Sequence, residues 1–207
     1  MTSVAQTKGE RTRRRVLDEA VRRFGADGYR ATSVAAVARA AGVTPAAVYA
    51  YFDGKEGLFD AAVDHDAAAL IEEVLEQGGW PQGEAWVQVI PRLLAGVERH
   101  PLARRVLAGQ EPDAIARLLD IPALRDLEAK VADDLRAGQA LGLVRHDIDV
   151  DLLASGLESL VLALLIAVQT AGPSVAGDER RTQGVLAVLS SAIRPSGGAP
   201  PPPAATP

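Results

Sequence analysis

The stretch TSVAAVARAAGVTPAAVYAYFDGKEGL, residues 32–58, decides how the rest of the chain is read. Thr32 or Ser33 can cap a short helix by accepting a hydrogen bond from a free backbone N–H, and Val34, Val37, Ala38 and Ala41 then fall at helical spacing on one side. Gly42 ends that helix. Thr44 and Pro45 start another almost at once, threonine as the cap and proline at the first helical position, where its missing N–H costs nothing. Two short helices joined by a tight glycine-containing turn make a helix-turn-helix, whose second helix lies in a DNA major groove.

In that second helix Val48 and Phe52 are four apart and face inward, which leaves Thr44, Pro45, Ala46, Ala47, Tyr49, Ala50 and Tyr51 available to a partner. The face is small and smooth, and alanine and threonine methyls suit the methyl groups of thymine. It carries no Arg, Lys, Asn or Gln, so bidentate base readout cannot come from it. Specificity is expected to rest on methyl contacts and DNA shape, with affinity falling steeply as salt rises. Gly54 is an acceptable cap for the next helix, which puts Lys55 in its first turn, where a cation opposes the helix dipole. A lysine beside free backbone amides makes an anion site, and a DNA phosphate is the anion expected there.

Arg13, Ala20, Phe24, Gly28, Tyr29, Thr32, Val37, Ala38, Ala41, Gly42, Val43, Tyr49, Tyr51, Phe52, Lys55 and Leu58 together resemble the N-terminal pattern of the tetracycline-repressor (TetR) family of transcriptional regulators. The resemblance implies that Thr44, Tyr49, Tyr51 and Lys55 contact phosphates while Pro45, Ala46, Ala47 and Ala50 approach base edges. Arg13, Thr32 and Ser33 complete the candidate DNA-binding set. Two positions depart from the family pattern: Gly54 stands where serine or asparagine is commoner, and Gly57 where an acidic residue is frequent. Both are expected to loosen the start of the helix, since an interior glycine costs roughly 0.5–1 kcal/mol relative to alanine.

The 207 residues suffice for one or two domains with a substantial core, and 48% hydrophobic with 24% charged residues is an ordinary globular composition. Cysteine is absent, so neither a disulfide framework nor a thiolate zinc site can form. No N-terminal apolar segment reads as a signal peptide, and the longest apolar run, residues 160–168, is too short to cross a bilayer, so the protein is read as cytoplasmic with no membrane partner. The overall charge of −5 is unevenly spread: residues 1–60 carry +3 and the remainder −8. A basic end to neutralise phosphates and an acidic body held off the duplex suit a DNA binder.

Residues 1–9 read as a disordered basic arm. The cluster Lys8, Arg11, Arg13, Arg14 and Arg15 is either a solvated start to the first helix or a phosphate-tracking arm. The first helix runs to about Asp27 with Val16, Leu17, Ala20, Val21 and Phe24 inward, Gly28 terminates it, and Tyr29 is a core or hinge residue. A helix from Lys55 to about Glu76 follows, ended by Gly78, Gly79, Trp80 and Pro81; by resemblance it is the connecting rod of an allosteric switch. Trp86, Ile90, Leu93, Leu94 and Val97 mark another helix, which Pro91 kinks or limits; a short helix follows His100 and Pro101, and residues 123–141 form a longer one. Residues 151–170 are apolar nearly all round, the pattern of a helix buried on both sides, and residues 179–193 form the last helix. By resemblance these two pair with their copies as a four-helix dimer interface through Leu157, Leu160, Val161, Leu164, Leu165, Val185 and Leu189. The tail, residues 195–207, is Pro/Ala-rich and reads as disordered.

The fold expected is therefore all-α: a three-helix helix-turn-helix DNA-binding domain over residues 10–57, then a helical ligand-binding and dimerisation domain over 58–194. Candidate ligand residues are Trp86, Ile90, Arg104, Arg105 and Glu158. Trp86 is either core or pocket wall. Glu158 is either a polar group at a solvated interface edge or a buried acid in the ligand cavity, with Arg104 and Arg105 as its partners, as anchors for an anionic ligand, or simply exposed. His65, His100 and His146 have no metal-ligand spacing and read as surface or pocket-edge residues. No nucleophile elbow, phosphate loop or dinucleotide fingerprint is present, so no cofactor and no catalysis are expected. The partners implied are a double-stranded DNA operator, a second copy of the chain and a small-molecule effector, with control by a partner protein as the alternative to the effector.

Overall fold

A computed structural model describes residues 7–76, 86–115, 118–171 and 179–195, and all regular structure among them is helical. The helices are α1 (Lys8–Ala31), α2 (Val34–Ala40), α3 (Pro45–Tyr49), α4 (Gly54–Glu76), α5 (Trp86–Val97), α6 (Pro101–Leu107), α7 (Pro112–Ile115), α8 (Pro122–Ala140), α9 (Val150–Ala171) and α10 (Glu179–Ile193). Trp80 and the tail from residue 196 onward lie outside the described residues, as does the side chain of Trp86.

Local chemistry sets the boundaries at the N-terminal end. Thr7 and Glu10 form a reciprocal capping box, so α1 starts at Lys8, and Lys8 and Gly9 are helical rather than part of an unstructured arm. Helical geometry breaks at Gly28, where φ is 82° and ψ 170°, a conformation that favours glycine. Ser33 and Thr44 cap α2 and α3 by accepting from the N–H groups of Ala36 and Ala47. Gly54 also has a positive φ of 69°, so glycine relaxes the entry to α4 there instead of loosening it as expected. The helix α5 continues through Pro91.

Two compact units emerge from the packing: Met1–Glu73 with Ala95–Leu124, and Val74–Leu94 with Arg125–Pro207. In the first, Phe24, Tyr29 and Phe59 form an aromatic cluster, with Phe24 and Phe59 edge-to-face at 5.1 Å. Val16, Val37, Val48, Leu58 and Ala62 of the same unit are fully buried. Here α1 and α6 meet at backbone distance: a Cβ on Gly25 would lie 2.8 Å from Pro101 Cβ. Asp66, buried in α4, caps α6 by accepting from the N–H groups of Leu102 (3.0 Å) and Ala103 (2.8 Å). His100 is buried, not at the surface as expected, because Asp66 Oδ1 contacts its Nδ1 at 2.9 Å and Glu73 Oε2 its Nε2 at 3.2 Å. Arg99 beside Glu73, with His100 behind it, holds the Glu73 carboxyl below its usual range.

The second unit has two apolar clusters. One joins Val131, Leu135, Val144, Val150, Leu153 and Ile193, and the other Ile90, Leu164, Val168 and Leu189. Asp149 caps α9 by accepting from the N–H groups of Asp151 and Leu152. As a whole α9 is long and apolar enough to cross a membrane, since small and polar residues extend it beyond its uninterrupted run at 160–168; the core helix of a soluble protein passes the same test.

Asp66→Ala leaves two buried backbone donors and one face of His100 without an acceptor, and is expected to cost about 2–3 kcal/mol in urea denaturation. Asp66→Asn, which keeps one oxygen for those donors, is expected to lose distinctly less.

Candidate nucleic-acid interface

The helix pair α2 and α3 is held from beneath by side chains that leave the other face of α3 open. Val48 is fully buried and Phe52 nearly so, while Thr44, Pro45, Ala46, Ala50, Tyr49 (57% exposed) and Tyr51 (39% exposed) face outward and Ala47 is half-buried. The sequence thus placed the α3 residues on the correct sides. Ser33 is exposed at the start of α2, and Arg13 is exposed on α1 with its guanidinium 5.4 Å from the centre of the Phe52 ring. The outward set is therefore one of methyl groups, two phenols and a threonine hydroxyl, flanked by a basic helix.

Thr32 departs from its expected place at the interface. Its side chain is 4% exposed and its hydroxyl donates to the Arg23 carbonyl at 3.3 Å, while its N–H bonds to Gly28, so it stitches the end of α1 together. Lys55 is half-buried at the start of α4. Its ammonium donates to the Arg30 carbonyl at 3.3 Å and sits 4.4 Å from the centre of the Tyr29 ring, a favourable cation–π distance. That environment offsets the unfavourable dipole position noted in the sequence.

Of the expected ligand residues, Arg104 and Arg105 belong to the first unit and Ile90 and Glu158 to the second. Ile90 is packed among Leu164, Val168 and Leu189. Arg104 is an exposed residue paired with Glu98, and Arg105 is bound to Glu111 at 2.7 Å, so neither is a free partner for Glu158. Glu158 is half-buried, and its Oε1 is enclosed with no hydrogen-bond partner among the described residues. Burial pushes its carboxyl up to about 7, with Glu128 adding to the effect. A surface cavity of about 500 Å³ is lined by Arg145, Leu186, Ser190, Ser191 and Arg194, none of which the sequence reading named as a ligand residue. Among the described residues no group of three or more His, Asp or Glu could hold a metal.

The expected interface residues divide by side of helix. Leu164, Leu165 and Leu189 are buried within the protomer, so they are its own core, and Leu157, Val161 and Val185 are half-buried. Leu160 is 47% exposed. The outer stripe of α9 also shows Leu152, Ser155, Gly156, Ser159, Ala163 and Ala167, and α10 exposes Gly184, Ala187 and Val188. The sequence reading did not name Leu152, Gly156 and Val188, although Leu152, Gly156 and Leu160 follow one another at four-residue spacing, as do Gly184 and Val188.

Residues 16–62 match a family model described as bacterial regulatory proteins, tetR family. The HTH-type transcriptional repressor AcnR of Corynebacterium diphtheriae is 29% identical over 199 residues, covering 95% of this chain and 98% of that protein. The fold is similar to the fatty acid degradation regulator FadR from Bacillus halodurans, with 18% identity, a TM-score of 0.63 and coverage of 89% of this chain and 96% of that one. It is similar also to FadR of Thermus thermophilus, a TetR-family transcriptional repressor solved in complex with lauroyl-CoA, with 23% identity, a TM-score of 0.63 and coverage of 92% and 98%.

Thr32→Val is expected to lower unfolding stability by about 1 kcal/mol through the lost buried hydroxyl bond, whereas Tyr49→Ala, at an exposed site, should stay within about 0.5 kcal/mol of the parent in the same denaturation series. For Glu158 the folded state favours the protonated acid, so its contribution to stability is present below the ordinary value of 4.5 and is lost as pH rises through about 7. Glu158→Gln is therefore expected to raise the melting temperature relative to the parent at pH 8 and to leave it nearly unchanged at pH 4.

Proposed function

We propose that the chain, whose residues 16–62 match the model of the tetR family of bacterial regulatory proteins, is a homodimeric repressor that a small hydrophobic or amphipathic ligand releases from its operator. The observation that carries this reading is the open face of α3. A short helix presenting Thr44, Pro45, Ala46, Ala50 and two exposed tyrosines, over a buried Val48 and beside the arginines of α1, is shaped for a major groove. Residues 10–57 are its DNA-binding domain and residues 58–194 its effector and dimerisation domain. Thr44, Tyr49, Tyr51 and Lys55 contact phosphates, with Arg13 and Ser33 beside them, while the alanines and Pro45 lie against base edges. The protein acts in the cytoplasm, where the operator is, and catalyses no reaction.

Dimerisation through the outer stripe of α9 and the exposed side of α10 is supported by Leu152, Leu160 and Val188 standing in solvent among small residues. A two-fold dimer would place two copies of α3 in successive major grooves, about 34–36 Å apart or a multiple of that spacing. A ligand that binds one arrangement of the dimer better than the other shifts the population away from the spacing the operator requires. The Thermus FadR complex supports a fold of this kind accommodating an acyl-CoA, and the effector class proposed here takes its amphipathic character from that.

Footprinting on the DNA flanking the protein's own gene, repeated with a panel of acyl-CoAs and other amphipaths, tests the reading: protection of a palindrome that one compound abolishes is expected. Protection that no compound disturbs would favour control by a partner protein, and absence of protection there, followed by failure to select any sequence from a random pool, would refute DNA recognition. With an operator in hand, replacing its contacted thymines by deoxyuridine is expected to weaken binding, because the methyl contacts of Ala46, Ala47 and Ala50 disappear. Leu160→Glu is expected to shift sedimentation from dimer to monomer and to lower operator affinity with it.

A further inference from the structure

Tyr29 is where α1, α4 and the segment after α6 meet. The break in helical geometry at Gly28 takes the N–H of Tyr29 out of the α1 ladder, and Glu111 Oε1 accepts it at 3.0 Å. The same oxygen accepts from Arg105 Nε at 2.7 Å. The two side chains are sheltered, 24% exposed for Arg105 and 13% for Glu111. A Cβ at Gly28 would come within 2.9 Å of Arg105 Cζ and 3.0 Å of Glu111 Oε1, so the ion pair fills the hollow that the missing side chain leaves.

The other side of Tyr29 is its ring. It packs edge-on to Phe59 at 5.0 Å and lies 6.1 Å from Phe24, which fixes its plane, and its open face carries the Lys55 ammonium at 4.4 Å. An ammonium has three N–H donors. One is spent on the Arg30 carbonyl and the ring face occupies another side of the ammonium, which leaves donor capacity for an external acceptor. Lys55 is thus held at a defined place at the start of α4 instead of sweeping freely through solvent.

We propose that Arg105 and Glu111 are positioning residues for the DNA face: Glu111 fixes the Tyr29 backbone, and the Tyr29 ring fixes the Lys55 ammonium for a single phosphate. The proposal rests on the reading of Lys55 as a phosphate contact. It gives the α6 arginine, expected from the sequence to serve a ligand, a role at the opposite functional face of the same unit. Three links carry it, each a direct contact: Arg105 to Glu111, Glu111 to Tyr29, Tyr29 to Lys55.

The test is a salt series of operator affinity with the full-length protein, comparing the parent, Lys55→Ala, Glu111→Ala, Glu111→Gln and the double variant Lys55→Ala with Glu111→Ala. Loss of one phosphate contact makes the dependence of log K on log salt shallower by about one. Lys55→Ala is expected to do this, with about tenfold weaker binding at low salt, and to weaken all DNA sequences about equally. Glu111→Ala is expected to match it in slope and affinity, and the double variant to be no worse than either single one. Glu111→Gln, which keeps an oxygen for the Tyr29 N–H, is expected to retain most of the parent slope. Should Glu111→Ala fail to fold by circular dichroism, Tyr29→Leu removes the ring face while keeping apolar bulk, and must reproduce the shallow slope. A parental slope in Glu111→Ala or Tyr29→Leu, or losses that add in the double variant, would overturn the proposal while leaving the DNA-binding reading intact. An unchanged slope and affinity in Lys55→Ala, or a parent that binds no DNA, would remove its premise and overturn it at that earlier step.

Discussion

Where α1 passes α6 there is no room for a side chain. Pro101 lies so close to Gly25 that any Cβ would collide with both its ring and its carbonyl carbon, and Gly28, one turn further on, faces the Arg105 guanidinium in the same way. Backbone therefore rests on backbone, and interiors packed this closely transmit displacement instead of absorbing it. The helix-turn-helix is placed by α1, because α2 packs against α1 and α3 against α2, with Val37 and Val48 fully buried. α6 in turn is seated by Asp66 of α4, so the two long helices and the short one between them are fixed by one apolar contact and one carboxylate.

Carboxylates do much of the local work in this acidic chain. Asp66 caps α6, Asp64 accepts from the Ala123 N–H at the start of α8, Asp149 caps α9, and Glu111 closes the break in α1. The three aspartates sit at helix N-termini, where backbone N–H groups lack helical partners and the dipole favours negative charge, whereas Glu111 serves an N–H freed near the end of α1. The acidic surplus downstream of residue 60 is in part this set of anchors, and not only a solvated surface that keeps the body away from DNA. Glu158 is the contrast, an acid in an apolar helix without such donors, and burial pushes its carboxyl up to about 7.

What could be read from the sequence was whatever depends on neighbours along the chain. Caps at Ser33 and Thr44, the breaks at Gly28 and Gly42, the inward Val48 and Phe52 and the bounds of α4, α9 and α10 all follow from spacing of three or four residues. What could not be read depends on residues brought from far away. Asp66 reaches Leu102 and Ala103, Glu111 reaches Tyr29, and nothing near position 105 announces that its arginine is already taken. Thr32 illustrates the limit within a short stretch: it and Ser33 are equally good caps on paper, and only the fold of α1 decides that one hydroxyl turns inward and the other outward. A helix apolar all round hides which stripe packs inside the protomer: Leu164 and Leu165 are buried there, while Leu152 and Gly156 are exposed.

The outward side of α3 is nearly without hydrogen-bonding side chains near its centre, where Ala46, Ala47 and Ala50 stand. An alanine makes no polar contact that a replacement could forfeit, and at exposed positions a longer side chain meets no internal obstacle. Exchange to arginine or asparagine there would add readout of guanine or adenine at the loss of a methyl contact but of no hydrogen bond. On the proposed reading of α3 as the recognition helix, its target could be changed by single substitutions that leave the scaffold of α1, α2 and α6 untouched, so that divergence of binding sites would meet little resistance from folding.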